Sequence, residues 1–314
     1  MQVVVLSGGL SPERDVSLRS GRRVAEALRA AEPSIEVTEC DVDATLIGRL
    51  RQQRPACVIP LLHGAAGEDG SLRDVLEALA IPFVGSSAES SRLAFDKQIA
   101  KTLLARTGIA TPASIALPHA TFRELGAGEV LDAVIDHLGL PLVVKPAKGG
   151  SALGAAVVRS AGDFPAAMVG AFAYHDVAIM ERFITGTEVS VNVVERDGEP
   201  HALPTVEIVP GGDLYDYTSR YTAGTTEFFI PARLPDEQRA ACADLAIAAH
   251  RALGLRDWSR SDLIVDAEGT PWFLEVNVAP GMTETSLFPQ ALAETGESLG
   301  SLAGALVRRA IARA

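Results

Sequence analysis

The fold is decided by residues 260–281, which read Arg260-Ser-Asp-Leu-Ile-Val-Asp-Ala-Glu-Gly-Thr-Pro-Trp-Phe-Leu-Glu-Val-Asn-Val-Ala-Pro-Gly281. Two apolar runs flank a turn signal, which predicts a β-hairpin centred on Glu268 and Gly269. In that register Asp262 lies opposite Glu275, and Arg260 lies opposite Asn277. These four side chains share a face, because side chains two apart on a strand point the same way. We expect the other, apolar face to be formed by Leu263, Val265, Trp272, Leu274 and Val276.

The polar face of this hairpin sets two carboxylates directly against each other. Such a like-charged pair destabilises a sheet by itself, and a cation between the two groups removes the repulsion. Asp262, Glu275 and the amide oxygen of Asn277 suit Mg²⁺, which prefers oxygen ligands and keeps positions for phosphate oxygens. A polar face that is simply solvated has the same spacing, so the metal site is a hypothesis that needs support from other motifs.

Composition and charge exclude several classes of protein. The 314 residues are 47% hydrophobic and 22% charged, which is typical of an α/β protein with two or three domains. A net charge of -12, with no basic stripe, argues against a nucleic acid or an anionic membrane as partner. Three cysteines without a CxxC pair indicate neither a disulfide framework nor a zinc site. With no signal-peptide pattern and no membrane-spanning apolar run, we expect a cytoplasmic protein.

Strands and helices alternate along the chain and predict an α/β fold in three units. Residues 1–94 form the first unit, a parallel sheet wrapped by helices. Residues 95–180 form the second, with a helix at 97–106 and strands at 141–145 and 155–158. Residues 181–314 form the third, with a strand at 188–194, a helix from Pro235 to Gly254, the hairpin and a terminal helix. We expect the three units to pack around a shared cleft.

Two loops in the first and second units carry side chains that suit ligand binding. In Lys145-Pro-Ala-Lys-Gly-Gly-Ser151, a lysine ends a buried strand and a glycine-rich loop follows, whose backbone N–H groups can close over phosphate. The loop lacks the Gly-Lys-Ser/Thr of a Walker A motif. In His63-Gly-Ala-Ala-Gly-Glu-Asp-Gly70, a histidine follows a strand at the edge where open sheets bind ligands. Each signal is weak alone, since a surface lysine or a structural histidine fits the same pattern.

Two segments of the third unit add to the pattern. The irregular stretch Tyr215-Asp-Tyr-Thr-Ser-Arg-Tyr221 holds three of the four tyrosines and suggests an ordered lid. The segment Glu181-Arg-Phe-Ile-Thr-Gly-Thr-Glu188 connects two strands and has an acidic residue at each end. An ordinary connector between strands can have the same pattern.

Taken in order, these motifs resemble the D-alanine:D-alanine ligases of the ATP-grasp superfamily over nearly the whole chain. The resemblance implies a three-domain ATP-grasp fold, with an N-terminal open parallel sheet of Rossmann-like form and two α+β domains that enclose the nucleotide. It implies ATP and two Mg²⁺ ions, with Mn²⁺ as an alternative, and we also expect a homodimer. The implied ATP-binding residues are Lys97, Lys145, Glu181, Phe183, Ile184, Glu188 and Arg220, and the metal ligands are Asp262, Glu275 and Asn277.

The resemblance also implies an activity, in which D-alanine is joined to D-alanine through an acyl phosphate for the synthesis of peptidoglycan precursors. The implied catalytic residues are Glu13, Ser151, Tyr221, Arg260 and the backbone of Gly281. The implied substrate-binding residues are His63, Ser286 and Leu287.

Four positions depart from the family pattern. Arg220 stands where a lysine commonly precedes the tyrosine of the lid, Val278 stands where a hydroxyl residue usually follows the asparagine, and Arg73 with Asp74 replace small or amide residues. None of them removes a ligand, but the guanidinium differs in geometry from an ammonium, so the role of Arg220 and the second-subsite specificity stay open.

Three alternative functions remain from the sequence. A nucleotide-dependent oxidoreductase would explain the opening strand and Gly8-Gly9, although the first turn lacks GxGxxG. A catalytically silent ATP-binding module would keep the fold without the reaction. A related ligase would join D-alanine to another acceptor or make a different small dipeptide, because the shape of the acceptor pocket is not written in the sequence.

Overall fold

The structure is a computed structural model and describes residues 1–211 and 224–313. The predicted lid residues Tyr215, Tyr217, Arg220 and Tyr221 lie outside the described residues.

The first unit is a parallel sheet, as the sequence predicts, and its three strands have the order β2-β1-β3. Apolar residues cover both of its faces: Val3 and Val5 pack with helix residues Val24 and Leu28 on one side, and Val4 packs on the other. The elements are β1 (Gln2–Ser7), α1 (Arg14–Ala31), β2 (Glu36–Asp41), α2 (Leu46–Gln53), β3 (Cys57–Pro60), α3 (Ala65–Glu68), α4 (Ser71–Ala78) and α5 (Ala88–Phe95).

The second unit is a four-stranded antiparallel sheet in the order β4-β7-β5-β6, covered on one face by α8 and α9. Helix α6 begins at Lys97 because the Asp96 carboxylate accepts a hydrogen bond from the backbone N–H of Ile99, at 3.1 Å. The elements are α6 (Lys97–Arg106), β4 (Ser114–Pro118), α7 (His119–Leu125), α8 (Ala127–Leu138), β5 (Leu142–Pro146), β6 (Ala156–Val158), a 3₁₀ turn (Ala161–Asp163), α9 (Phe164–Phe172) and β7 (Val177–Arg182).

The third unit is a six-stranded antiparallel sheet in the order β11-β10-β8-β12-β13, with β9 paired to β8. Helix α10 packs on this sheet, whereas α12 crosses to the first unit and packs on α1. The elements are β8 (Thr187–Arg196), β9 (Glu199–Ala202), β10 (Val206–Pro210), β11 (Thr226–Phe229), α10 (Asp236–Ala252), β12 (Trp258–Val265), β13 (Pro271–Asn277), α11 (Leu287–Ala293) and α12 (Leu299–Ala312). The domain boundaries at 94/95 and 180/181 stay predictions.

The hairpin of β12 and β13 has the predicted pairs at its open end, with Arg260 opposite Asn277 and Asp262 opposite Glu275. Nearer the turn the register differs, because a β-bulge follows Asp262 and Leu263 pairs with Phe273. The expected apolar face is therefore wrong at Trp272 and Leu274. Leu263, Val265 and Val276 are buried as expected, but Phe273 fills the core beside them.

Candidate active site

Two adjoining cavities lie where the three units meet. The first, called here the inter-sheet cavity, lies between the four-stranded sheet and the hairpin. The second, called the N-terminal cavity, lies between the first unit and the hairpin. Both cavities are lined by Lys97, Gly149, Gly150 and Glu275. A reacting group could therefore pass from one ligand to the other at this shared border.

The inter-sheet cavity collects the predicted nucleotide-binding residues on apolar walls. Phe183 and Ile184 follow β7, and the backbone N–H of Phe183 donates to the Pro141 carbonyl at 3.1 Å. Leu274 reaches this cavity because the β-bulge turns it out of the core. The predicted residues that line the cavity are Lys97, Lys145, Glu181, Phe183, Ile184, Glu188, Asp262 and Glu275.

Glu181 lies between two buried ammonium groups. Lys145 Nζ is 2.7 Å from Glu181 Oε1, and Lys101 donates to Oε2 of the same carboxylate. Burial raises the pKa of Glu181, but the two lysines outweigh burial and hold the pKa below its usual value. Glu181 is therefore an anion in this arrangement, and Lys145 points at it.

Sequence reasoning missed Lys101. A signal was available, since Lys101 follows Lys97 by four residues and such side chains share a helix face. Burial lowers the pKa of Lys101 to about 8, although Glu181 acts in the opposite direction.

The polar face of the hairpin is compensated by cations. Arg260 donates from Nε and Nη2 to the two carboxylate oxygens of Asp262, each at 2.8 Å, and Ser190 Oγ donates to Oδ1 at 3.0 Å. Lys97 Nζ is 3.3 Å from Glu275 Oε2 and donates to the Gly149 carbonyl at 2.6 Å. The two opposed carboxylates thus each face a cation of their own.

Asn277 makes a hydrogen bond to the backbone and also lines the candidate site. Its Oδ1 accepts from the backbone N–H of Ala279 at 2.7 Å, and the residue lines the N-terminal cavity. Within the described ranges, no three His, Cys, Asp or Glu side chains group as a metal site would require. The predicted set contains two carboxylates and depends on the amide for its third ligand.

The N-terminal cavity joins residues that are far apart in the chain. Ser151 Oγ donates to Glu13 Oε1, although the two residues are separated by 138 positions. Ser151 and Ala152 both have a left-handed backbone, with φ of 52° and 53°, which turns the glycine-rich loop toward Glu13. The predicted residues that line this cavity are Glu13, His63, Lys97, Ser151, Arg260, Glu275, Asn277, Gly281, Ser286 and Leu287.

His63 is buried and neutral. Burial lowers its pKa, and Nδ1 lies 3.1 Å from the Ala279 carbonyl. A carbonyl oxygen can only accept, so Nδ1 carries the proton and Nε2, 3.5 Å from Ser20 Oγ, is left as an acceptor. Ser20 Oγ in turn accepts from the backbone N–H of Met282 at 3.1 Å. His63 therefore ties the first unit to the segment that carries Gly281.

Glu68 adds a second acid beside Glu13. Burial and the negative charge of Glu13 raise the pKa of Glu68 to about 8. Its Oε1 accepts from the backbone N–H of Gly64 at 2.8 Å, which holds the loop that follows His63.

The segment after the hairpin is closely packed. Ser286 Oγ accepts from the backbone N–H of Thr283 at 3.0 Å and lies directly before α11. A Cβ on Gly281 would lie 2.8 Å from Ser286 Oγ, so only glycine leaves this backbone open to the cavity without displacing Ser286. The backbone N–H of residue 281 can thus be approached by a ligand.

No helix in residues 1–211 or 224–313 is long and apolar enough to cross a membrane.

Comparison with known proteins gives the family of this chain. The family model described as D-ala D-ala ligase C-terminus matches residues 103–308. A D-alanine–D-alanine ligase of Anaeromyxobacter dehalogenans is 42% identical over 301 residues, which cover 96% of this chain and 94% of the relative. Another D-alanine–D-alanine ligase, from Pelotomaculum thermopropionicum, is 38% identical and covers 99% of this chain and 97% of its own.

Solved structures agree over the full length. The VanG D-Ala:D-Ser ligase from Enterococcus faecalis is 28% identical with a TM-score of 0.86, and the match covers 98% of this chain and 99% of that one. A D-alanine–D-alanine ligase from Bacillus anthracis complexed with ATP is also 28% identical, with a TM-score of 0.81 and coverage of 100% and 98%. These matches exclude the oxidoreductase alternative and confirm the expected ATP-grasp fold. The chain belongs to the D-alanine–D-alanine ligase family.

Proposed function

We propose that this protein is a D-alanine–D-alanine ligase, which converts ATP and two D-alanine molecules into D-alanyl-D-alanine, ADP and phosphate. The dipeptide would serve the synthesis of peptidoglycan precursors. The observation that carries the proposal is the pair of cavities that meet at Lys97 and Glu275. ATP in one cavity and D-alanine in the other would react across this border.

The inter-sheet cavity would hold ATP. Lys97 and Lys145 would bind its phosphates, Glu181 with the backbone of Phe183 and Ile184 would hold adenine, and Glu188 the ribose. Arg220 would add a charge from the lid. Because the walls at Phe183 and Leu274 are apolar, they suit the flat base, while Lys97 lies at the border with the other cavity.

Asp262, Glu275 and Asn277 would hold two Mg²⁺ ions, or Mn²⁺. The residues fit the group, because Asp262 and Glu275 are paired in the sheet and supply oxygen ligands on one face. Bound Mg²⁺ would neutralise charge on the phosphate oxygens. Lys97 faces Glu275 at 3.3 Å and could turn to phosphate when the carboxylate is otherwise compensated.

The first D-alanine would lie in the N-terminal cavity, with its ammonium group at Glu13. Its carboxylate would attack the γ-phosphate and give an acyl phosphate. Ser151 supports this role of Glu13 by its hydrogen bond, and Tyr221 would complete the arrangement. His63 would border the subsite as a neutral group, consistent with its lowered pKa.

The second D-alanine would lie between Arg260 and the start of α11. Its amine would attack the acyl phosphate, and Arg260 with the backbone N–H of Gly281 would stabilise the tetrahedral oxyanion. Ser286 and Leu287 would contact the carboxylate and methyl group. Closure of the lid would exclude water that otherwise hydrolyses the acyl phosphate.

Replacement of Ser151 by Ala is expected to raise KM for D-alanine about tenfold and to change ATP affinity less than about twofold, because Ser151 holds Glu13 and not the nucleotide. Steady-state kinetics and calorimetry measure the two effects. The exposed Ser34→Ala serves as control. An equal loss of ATP affinity and D-alanine affinity in Ser151→Ala contradicts the division of roles.

The acceptor is tested by an ADP-release assay over a panel of amino and hydroxy acids, with products read by mass spectrometry. We expect D-alanyl-D-alanine as the main product, none from L-alanine, and little ester from D-lactate even near pH 6. Coupling should rise with pH, because the attacking amine must lose its proton. If the ester is the main product in an equal mixture of D-alanine and D-lactate, the assignment of D-alanine as the acceptor is wrong.

A second candidate is a ligase that joins D-alanine to D-serine, favoured by the fold similarity to the VanG D-Ala:D-Ser ligase. The same assay separates the two, since a mixed dipeptide from equal D-alanine and D-serine differs in mass. ATP binding without release of ADP would instead favour the silent ATP-binding module. The cytoplasmic location and the homodimer remain predictions.

A further inference from the structure

The lysines of this chain are gathered at one place. Of its 28 lysine and arginine residues, four are lysines, and all four lie in α6 or in β5 and the loop after it: Lys97, Lys101, Lys145 and Lys148. Ion pairs elsewhere in the described ranges use arginine or histidine as the cation. Arginine has a planar, forked head that a compact ammonium lacks, so the two residues are not interchangeable in a small site. Position 101 is thus one of the few in the chain that carry an ammonium group.

Lys101 lies behind the inter-sheet cavity and does not line it. Its side chain is 2% exposed, and that of Glu181 is 3% exposed. Lys101 donates a hydrogen bond to Glu181 Oε2, and Lys145 Nζ lies 2.7 Å from Glu181 Oε1. Lys145 differs from Lys101 because it lines the cavity and can reach a ligand there. The Glu181 carboxylate therefore pairs with two lysines, of which Lys101 is fixed and Lys145 can move to a ligand.

This difference between Lys101 and Lys145 matters when a ligand with several negative charges enters the inter-sheet cavity. If Lys145 turns to a phosphate group, Glu181 loses one partner while it stays buried. A buried carboxylate with no partner is strongly destabilised, so Glu181 would keep Lys145 from the ligand if Lys145 were its only cation. A second ammonium at Oε2 removes that conflict, because Glu181 remains paired after Lys145 has left.

We propose that Lys101 is a positioning residue of the nucleotide site, which holds Glu181 in place so that Lys145 is free to bind phosphate. The inference rests on the proposed function for the identity of the nucleotide. Lys101 makes no contact with the ligand and acts through Glu181 alone. Its effect on nucleotide binding therefore disappears when Glu181 loses its charge.

The test compares Lys101→Met in two backgrounds by calorimetry, with ATP and Mg²⁺ and without D-alanine. In the wild-type background the dissociation constant for ATP rises about tenfold or more, because Lys145 stays with Glu181. In the Glu181→Gln background the same substitution changes the dissociation constant less than about threefold. The control is Arg106→Met, which removes an exposed cation from the same helix and leaves ATP binding unchanged. Equal losses in both backgrounds, or no loss in the first, overturn the proposal.

A second measurement is read on the wild-type chain and does not depend on whether the Lys101 variant folds. Lysine labelled with ¹³C at Cε gives four side-chain signals, which Lys97→Met, Lys145→Met and Lys148→Met assign. A non-hydrolysable ATP analogue with Mg²⁺ shifts the Lys145 signal and leaves the Lys101 signal in place. A Lys101 signal that moves as far as that of Lys145 overturns the proposal. Failure of the proposed function is a separate result, namely nucleotide binding without formation of dipeptide.

Discussion

Replacement of Glu275 by Gln is expected to lower ADP formation on the order of a thousandfold, because a metal ion that neutralises phosphate charge contributes several kcal/mol to the reaction. Glu275 lines both cavities, so its carboxylate is next to the place where phosphoryl transfer would occur. Thermal unfolding in metal-free buffer should shift little or upward. The lost pair with Lys97, at 3.3 Å, is offset by relief of the repulsion from Asp262.

The matched control for this prediction is Glu268→Gln. It makes the same chemical change in the exposed turn of the same hairpin and should leave both activity and unfolding temperature unaltered. Titration with Mg²⁺ adds a direct readout, because Glu275→Gln should need a higher concentration for any residual turnover. Full turnover in Glu275→Gln would exclude the metal assignment, whereas a large loss of thermal stability would make Glu275 a structural residue.

The opposed carboxylates could be predicted from sequence, but the turn that joins their strands could not. Alternation of polar and apolar residues indicates which side chains share a face, and it correctly pairs Asp262 with Glu275. The predicted centre on Glu268 and Gly269 is displaced, because Val265 pairs with Pro271 and Asp266 organises a longer turn. Its Oδ1 accepts from the backbone N–H of Thr270 at 2.8 Å, and its Oδ2 accepts from Trp272 Nε1 at 2.7 Å.

This longer turn removes Trp272 from the core and makes the bulge necessary. The bulge restores the pairing at Asp262 and sends Leu274 into the inter-sheet cavity, while Phe273 takes the core position. An aspartate that follows a strand is a known signal for such turns, and it was available in the sequence. The turn organised by Asp266 forms instead of one centred on Glu268 and Gly269 because Trp272 is a second partner of Asp266. Local sequence rules for turns do not include that contact.

The ion pairs of Glu181 show a different limit of prediction from sequence. Motif order indicates that Lys97, Lys145 and Glu181 belong to one site, but it does not say which charges compensate each other before a ligand binds. Lys101 and Glu181 are 80 positions apart, one in α6 and the other in β7, and their contact depends on tertiary packing that no local pattern specifies. The same holds for Ser151 and Glu13, which are 138 positions apart.

The second large effect is expected at Arg260. Its replacement by Lys should lower the rate of dipeptide formation about a hundredfold to a thousandfold, which is the usual cost of one lost donor to an oxyanion. Arg260 donates to both oxygens of Asp262 at 2.8 Å and lines the N-terminal cavity. An ammonium keeps the charge but cannot serve Asp262 with two parallel bonds and the oxyanion with a third donor.

This substitution separates the two chemical steps. Arg260→Lys should leave ATP affinity within about threefold of the wild type, since the guanidinium lies in the N-terminal cavity, and should slow the attack of the amine on the acyl phosphate. The acyl phosphate then reacts with water, so ADP release should exceed dipeptide formation, and the ratio of the two products is the measurement. Arg251→Lys, which alters an exposed ion pair with Glu199, is the control and should keep the ratio at one. A parallel fall in ADP and dipeptide would mean that Arg260 acts in phosphoryl transfer, through Asp262, and not on the oxyanion.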